Sequence, residues 1–138
     1  MNTHSRISSI SRWHVKFGFG FAVLGMALGI YMAISKTHVQ HVTHAHVLLL
    51  GFVVSVLYGG IYRLWLASAS ARLAMVQTGL HQFGTVLLVA GLYFLYSGAA
   101  TEDSLAPLLG TGSVAVILSA VLMFYQMVRG GQLETASN

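Results

Sequence analysis

The chain has 138 residues, of which 56% are hydrophobic and only 7% charged, and its formal net charge is +4. A soluble globule of this size cannot bury so much apolar surface, whereas lipid can cover it in a membrane protein. The absence of cysteine excludes disulfides, thiolate metal ligands and covalently attached haem. The basic residues are scattered singly, which argues against a nucleic-acid partner.

Four apolar segments follow one another, and each approaches the roughly 20 helical residues that a bilayer core requires. The predicted spans are residues 15–35, 43–65, 73–97 and 105–128, each to within a few positions, followed by a polar tail at 130–138. Short connections between four spans favour an antiparallel bundle. The sequence therefore predicts an all-α integral membrane protein, a four-transmembrane-helix bundle formed by a single domain of residues 1–138.

Basic residues predict the orientation of this bundle. Only Lys36 falls on the side that carries the first and third connections. The other basic residues share the opposite side: Arg6, Arg12, Lys16, Arg63, Arg72 and Arg129. The positive-inside rule then places both termini in the cytoplasm, and the protein in a bacterial-type cytoplasmic (inner) membrane.

Two histidines, His44 and His46, stand at i and i+2 where the second span begins. Burial of imidazole at a membrane boundary is costly, and ligation of haem iron, copper or zinc repays that cost. At ~100° per residue, His44 shares a helix face with Gly51, Ser55 and Tyr58, whereas His46 lies about 160° away on an apolar stripe. The two imidazoles are therefore predicted to face different neighbours.

His81 interrupts the third apolar span, and it shares a face with small and polar residues: Ala74, Gln77, Thr78, Gly84, Thr85, Leu88 and Gly91. Ionisable side chains within membrane segments are rare and usually functional. We therefore take His81 as a further candidate ligand of haem or metal, with a hydrogen-bonded packing role as the alternative.

The remaining candidate ligands are His14, His38 and His41. His38 and His41 precede His44 and His46 in a polar loop, so these four predict an outer copper or zinc site as an alternative to haem. His14 falls near the cytoplasmic boundary, where it is either an interfacial residue or a metal ligand. It is followed at helical spacing by a seam of small residues that permits close helix packing: Gly18, Ala22, Gly25 and Gly29.

The sequence His44-Ala45-His46, followed by Gly51 and Tyr58, resembles a histidine-rich helix of the haem-copper oxidase superfamily. The similarity is to the catalytic subunits of nitric oxide reductases and cytochrome oxidases, and it covers about twenty residues. In that family the two histidines of such a pair point in opposite directions and ligate two different haems. The resemblance implies that His44 binds a high-spin haem and His46 a low-spin haem.

The catalytic subunit of that family contains three equivalent arcs of four helices, and this four-span chain resembles one arc. The resemblance therefore implies a homotrimer with haem held between neighbouring protomers. It does not extend to the family's copper centre, because span three offers only His81 with Gln82 beside it.

The sequence as a whole predicts a small membrane cytochrome that binds haem b, with copper as a second candidate cofactor. Electron transfer or the binding of a diatomic gas would be its role, and the sequence leaves open whether it is an oxidoreductase. Two alternatives remain at this point. One is a copper- or zinc-binding membrane protein, and the other is a non-catalytic membrane subunit in an assembly.

Overall fold

A computed structural model describes the backbone of residues 3–135 and the side chains of residues 4–129. Four helices run through the described residues: α1 (Thr3–Ser35), α2 (His41–Leu64), α3 (Ala71–Tyr96) and α4 (Glu102–Thr135). Each contains a stretch long and apolar enough to cross a membrane, and residues 3–135 contain no strand. The predicted all-helical fold with four spans is confirmed.

Two helices are longer than the apolar segments that predict them. Helix α1 begins at Thr3 because its first turns already pack against the bundle, with Ile7 buried against Tyr62 and Leu66. Helix α4 continues to Thr135, through much of the predicted polar tail, while residues 136–138 lie outside the described part of the chain. Helical hydrogen bonds are internal to the backbone, so polar side chains at a helix end do not stop the helix.

Glycines set the close approach of antiparallel neighbours. A methyl group added at Gly18 of α1 would lie 2.9 Å from Val56 of α2, and one at Gly84 of α3 would lie 2.9 Å from the Ala115 side chain of α4. The small-residue seam predicted along α1 is therefore a packing surface. Antiparallel packing gives the bundle a terminal end, with both chain ends and the connection 65–70, and a loop end, with the connections 36–40 and 97–101.

Helix α2 contains a feature that the periodicity does not predict. Its residues 47–54 form a π-helix, Val47–Val54, between α-helical segments His41–His46 and Ser55–Leu64. An i→i+5 helix turns less per residue than an α-helix, so residues four apart stay on one face. The buried positions of α2 accordingly recur at four-residue spacing through the π-helix and beyond it: Thr43, Val47, Gly51, Ser55 and Gly59.

The distribution of polarity is the reverse of that in a soluble bundle. Fully buried positions inside carry polar side chains, including His14, His81 and Gln77. Large apolar side chains cover the outside, among them Phe19 and Ile117. Lipid around the bundle accounts for this arrangement, because exposed apolar surface costs nothing in contact with acyl chains and polar groups are satisfied between helices.

Candidate functional site

The predicted ligands His44 and His46 lie in the first turns of α2, at the loop end, and both are partly exposed. The Nδ1 atom of His44 is 2.9 Å from the carbonyl oxygen of Gly25 in α1. The Nδ1 atom of His46 is 2.9 Å from the carbonyl oxygen of Val42, one turn earlier in its own helix. A backbone carbonyl therefore fixes the orientation of each ring.

These contacts also fix where the protons are on the two rings. A carbonyl oxygen only accepts hydrogen bonds, so Nδ1 carries the hydrogen in each neutral imidazole and Nε2 keeps its lone pair. Metal-ligating histidines almost always donate their other ring N–H to a carbonyl or carboxylate in this way. Both rings thus have the protonation and anchoring that a haem or metal ligand requires.

The two rings face different surroundings. His44 lies against α1, where a methyl group added at Gly29 would come 3.0 Å from its Cε1 atom. The His46 ring instead contacts the Val42 carbonyl of its own helix, and it is partly exposed. This is the divergence that helical geometry predicts for positions i and i+2. The Nε2 atoms of His44 and His46 in one protomer therefore cannot both bind the same flat ligand.

The other histidines of the loop end are exposed. His41 Nδ1 lies 2.9 Å from the carbonyl oxygen of His38, and its ring is 6.2 Å from that of Tyr96. Among side chains of residues 4–129, no three histidines or acidic residues come close enough together to hold a metal ion. The structure therefore does not gather His38, His41, His44 and His46 into one cluster within the described protomer.

His14 and His81, by contrast, are brought together in the core. Their ring centroids are 5.8 Å apart with the planes inclined by 40°, and both side chains are fully buried. His14 is thus fully buried between helices and not on the surface of the bundle. Its neighbour Trp13 takes the exposed position instead and donates an indole N–H to Gln82 of α3 at 2.8 Å. Packing of the first turns of α1 carries His14 inside.

Hydroxyl and aromatic side chains enclose this histidine pair. His14 Nε2 is 2.9 Å from Thr78 Oγ1, and His81 Nε2 is 2.9 Å from Ser55 Oγ, the first residue after the π-helix. The ring of Tyr58 lies edge-on to His81 at 4.9 Å, and the ring of Tyr62 lies 5.9 Å from His14. Three helices thus contribute to one buried polar centre, here called the core histidine centre: His14, Ser55, Tyr58, Tyr62, Thr78 and His81.

A chain of amide and hydroxyl groups extends this centre towards the terminal end. Gln126 donates to the Tyr62 hydroxyl, which donates to Gln77, which donates to Ser119, each over 3.1 Å. The face that carries Gln77 and Thr78 was predicted from spacing, but Ser119 and Gln126 were not singled out. Their signal is a seven-residue separation, which places both on one face of the apolar stretch 114–128 of α4.

One cavity of the described bundle lies away from the predicted ligands. It encloses about 510 Å³ at the terminal end and is lined by the connection 64–70 and by Leu73, Tyr125, Gln126 and Arg129. His44 and His46 are at the opposite end of α2, so this cavity does not house a group bound to them. A haem on either ring would lie on the outer surface of the bundle.

No protein-family model matches the chain, and neither a curated protein nor a solved structure is significantly similar to it. The geometry therefore carries the functional argument. It offers two sites of different kinds: anchored, partly exposed imidazoles at the loop end, and an enclosed pair in the core.

Proposed function

We propose that this chain is a membrane cytochrome that binds haem b through His44 and His46. The observation that carries the proposal is the anchoring of both rings. Each Nδ1–H bonds to a backbone carbonyl, so each Nε2 lone pair is left for iron, and neither Nε2 has a hydrogen bond to the described part of the chain. Neutral imidazole is the usual nitrogen ligand of haem iron.

The fit of haem to these residues requires a second copy of the chain. Because His44 and His46 face different sides of α2, each reaches a haem only at the surface of the bundle, where a neighbouring protomer covers it. The exposed apolar residues of α2, among them Leu49, Val53 and Leu57, supply apolar surface for a porphyrin held between protomers. We infer a homotrimer, the assembly implied by the resemblance of this four-helix chain to one arc of a haem-copper oxidase subunit.

Haem would supply one-electron redox chemistry, or an iron coordination position for a diatomic gas. The residues of the chain bind and orient it, with the carbonyls of Gly25 and Val42 raising the basicity of their histidines. Ligation by two histidines leaves no open position on iron and favours electron transfer. Ligation by one histidine favours gas binding. We propose the redox role, in which a haem held between two protomers would take one histidine from each.

The orientation and location of the bundle are part of the proposal. Because the four helices alternate in direction along the chain, six basic residues belong to the terminal half of the bundle and only Lys36 to the loop end. By the positive-inside rule both termini face the cytoplasm, and His44 and His46 lie near the outer face of the cytoplasmic membrane. A haem there would exchange electrons with a donor on that side.

The test is a visible spectrum of the purified chain after expression with a haem supply. A Soret band with sharp alpha and beta bands on dithionite reduction is expected, together with loss of haem in His46→Ala and a changed or lost spectrum in His44→Ala. His41→Ala, an exposed histidine of the same helix, is the matched control and should keep the spectrum.

Two results would contradict the proposal. A well-folded protein that binds no haem refutes the cofactor, and haem retained unchanged in the double variant His44→Ala/His46→Ala refutes the ligands. Native mass spectrometry tests the assembly separately, since a monomer that keeps its haem would refute the shared-haem trimer.

A further inference from the structure

The core histidine centre contains two ring nitrogens with no partner. The Nδ1 atoms of His14 and His81 are both buried and make no hydrogen bond within the described part of the chain, although both side chains are fully enclosed. Buried polar groups in proteins are almost always paired, and each exception needs an explanation such as a bound water or ion. Two exceptions on neighbouring rings point to one common ligand.

The hydrogen bonds of Thr78 determine the protonation of His14. Its hydroxyl has a single hydrogen, which it donates to the carbonyl oxygen of Ala74 at 2.7 Å. Thr78 Oγ1 therefore accepts from His14 Nε2–H over 2.9 Å. In the neutral ring the other nitrogen has no hydrogen, so His14 Nδ1 presents a bare lone pair to the core.

The same reasoning applies to His81. Ser55 donates its hydroxyl hydrogen to the carbonyl oxygen of Leu50 at 3.4 Å, at the π-helical part of α2. Its oxygen then accepts from His81 Nε2–H over 2.9 Å. His81 Nδ1 is consequently a bare lone pair as well. Two buried lone pairs of this kind do not satisfy each other, because neither Nδ1 carries a hydrogen.

The spacing of the rings fits one ion between them. Two imidazoles with their nitrogens ~2 Å from a shared metal have ring centres up to roughly 6 Å apart, and the observed separation is 5.8 Å. We propose that His14 and His81 bind a single monovalent copper ion through their Nδ1 atoms, inside one protomer. This site is independent of haem and of His44 and His46.

The surroundings select this ion over others. Imidazole suits copper and zinc, but a zinc site generally requires four ligands, and only these two histidine nitrogens are present. The acidic residues Glu102 and Asp103 lie in the first turn of α4, at the loop end, and no acidic side chain of the described residues belongs to the core histidine centre. A single positive charge is the least costly to bury without a carboxylate. The rings of Tyr58 and Tyr62 exclude water on the sides that they cover.

The experiment is an anaerobic titration of haem-free, detergent-purified protein with Cu(I) against a chromophoric Cu(I) chelator, and with Ag(I) as a redox-inert probe. We expect one ion per chain. Removal of one of two ligands should cost at least the ~10–100-fold typical of an outer-shell partner, so His14→Ala and His81→Ala should each weaken binding by tenfold or more. The variant His4→Ala, at an exposed histidine of α1, is the control, and its affinity should match that of the unaltered chain.

If a core variant fails to fold, X-ray absorption of the copper-loaded, unaltered protein tests the site by measuring the number and distance of the copper ligands. Two nitrogen ligands at about 2 Å and no third ligand are expected. Absence of stoichiometric Cu(I), a higher coordination number, or binding abolished by His44→Ala/His46→Ala but not by His14→Ala would each overturn the site. In the first case, the two lone pairs are satisfied by water.

Discussion

The imidazole rings of His14 and His81 lie 5.8 Å apart in the core, although 66 positions separate the first turns of α1 from the middle of α3. The pair exists because α1 and α3 both turn small and polar residues inward at this depth. Ser55, directly after the π-helix of α2, completes the enclosure by holding His81. A substitution that shifts any of these three helices should therefore disturb the core histidine centre.

Replacement of Ser55 tests the support of His81. In Ser55→Ala the buried His81 Nε2 loses its partner, and an unsatisfied buried group costs about 1–3 kcal/mol. We expect the free energy of unfolding in detergent to fall by that amount. Ser97→Ala is the control, because the Ser97 hydroxyl bonds the Phe94 carbonyl at an exposed position, and its effect should stay within about 0.5 kcal/mol. Equal losses in the two variants would contradict a supporting role for Ser55.

A double-mutant cycle tests the hydrogen-bonded chain beyond the centre. Tyr62→Phe and Gln77→Leu each remove one side of the bond between the Tyr62 hydroxyl and Gln77. The coupling energy from the two single variants and the double variant should be about 0.5–3 kcal/mol, the range for directly interacting groups. Additive effects, measured by denaturant titration in detergent, would show that the bond does not contribute to stability.

Close packing of α1 on α2 gives a prediction with an internal control. A methyl group at Gly51 would overlap the ring of Phe21, so Gly51→Ala should lower the free energy of unfolding by about 1–3 kcal/mol. Gly60 lies in the same helix with no neighbouring atom within 4 Å. Gly60→Ala should leave stability unchanged or raise it by up to ~1 kcal/mol, because alanine is the better helix former. Thermal unfolding of both variants is the measurement, and equal stability of Gly51→Ala and Gly60→Ala would contradict the prediction.

The proposed haem ligand His44 is open to a test that leaves the histidine in place. A methyl group at Gly29 would come 3.0 Å from His44 Cε1, so Gly29→Ala should displace the ring and shift the Soret band of bound haem. Gly20→Ala in the same helix meets no atom within 4 Å and should leave the spectrum unchanged. An unshifted band in Gly29→Ala, with haem still bound, would argue that His44 is not a ligand.

Orientation is testable because the chain has no cysteine of its own. Single-cysteine variants at two exposed connections, Ser68→Cys at the terminal end and Ala99→Cys at the loop end, are to be labelled in intact spheroplasts with an impermeant maleimide. The positive-inside rule predicts labelling of Ala99→Cys directly and of Ser68→Cys only after permeabilisation. The reverse pattern would place the termini outside.

The sequence by itself determined the four helical elements and the inward face of α3. Long apolar runs predict four spans, and the 3.6-residue period placed Ala74, Gln77, Thr78 and His81 on the buried face of α3. These are local properties, since hydrophobic length and helical period need no knowledge of neighbours. The divergence of His44 and His46 follows from the same period.

Only the tertiary structure decided which residues meet. His14 sits beside charged and aromatic residues in the sequence, and its pairing with His81 depends on how α1 packs against α3. The π-helix of α2 changes which residues of this helix face the core, and no residue pattern in Val47–Val54 predicts a π-helix. Hydrogen-bond partners 26 to 64 positions apart, such as Ser55 with His81 and His14 with Thr78, depend on how helices approach one another. Periodicity fixes the face that a residue occupies, whereas the neighbour across that face is set by close packing of the whole bundle.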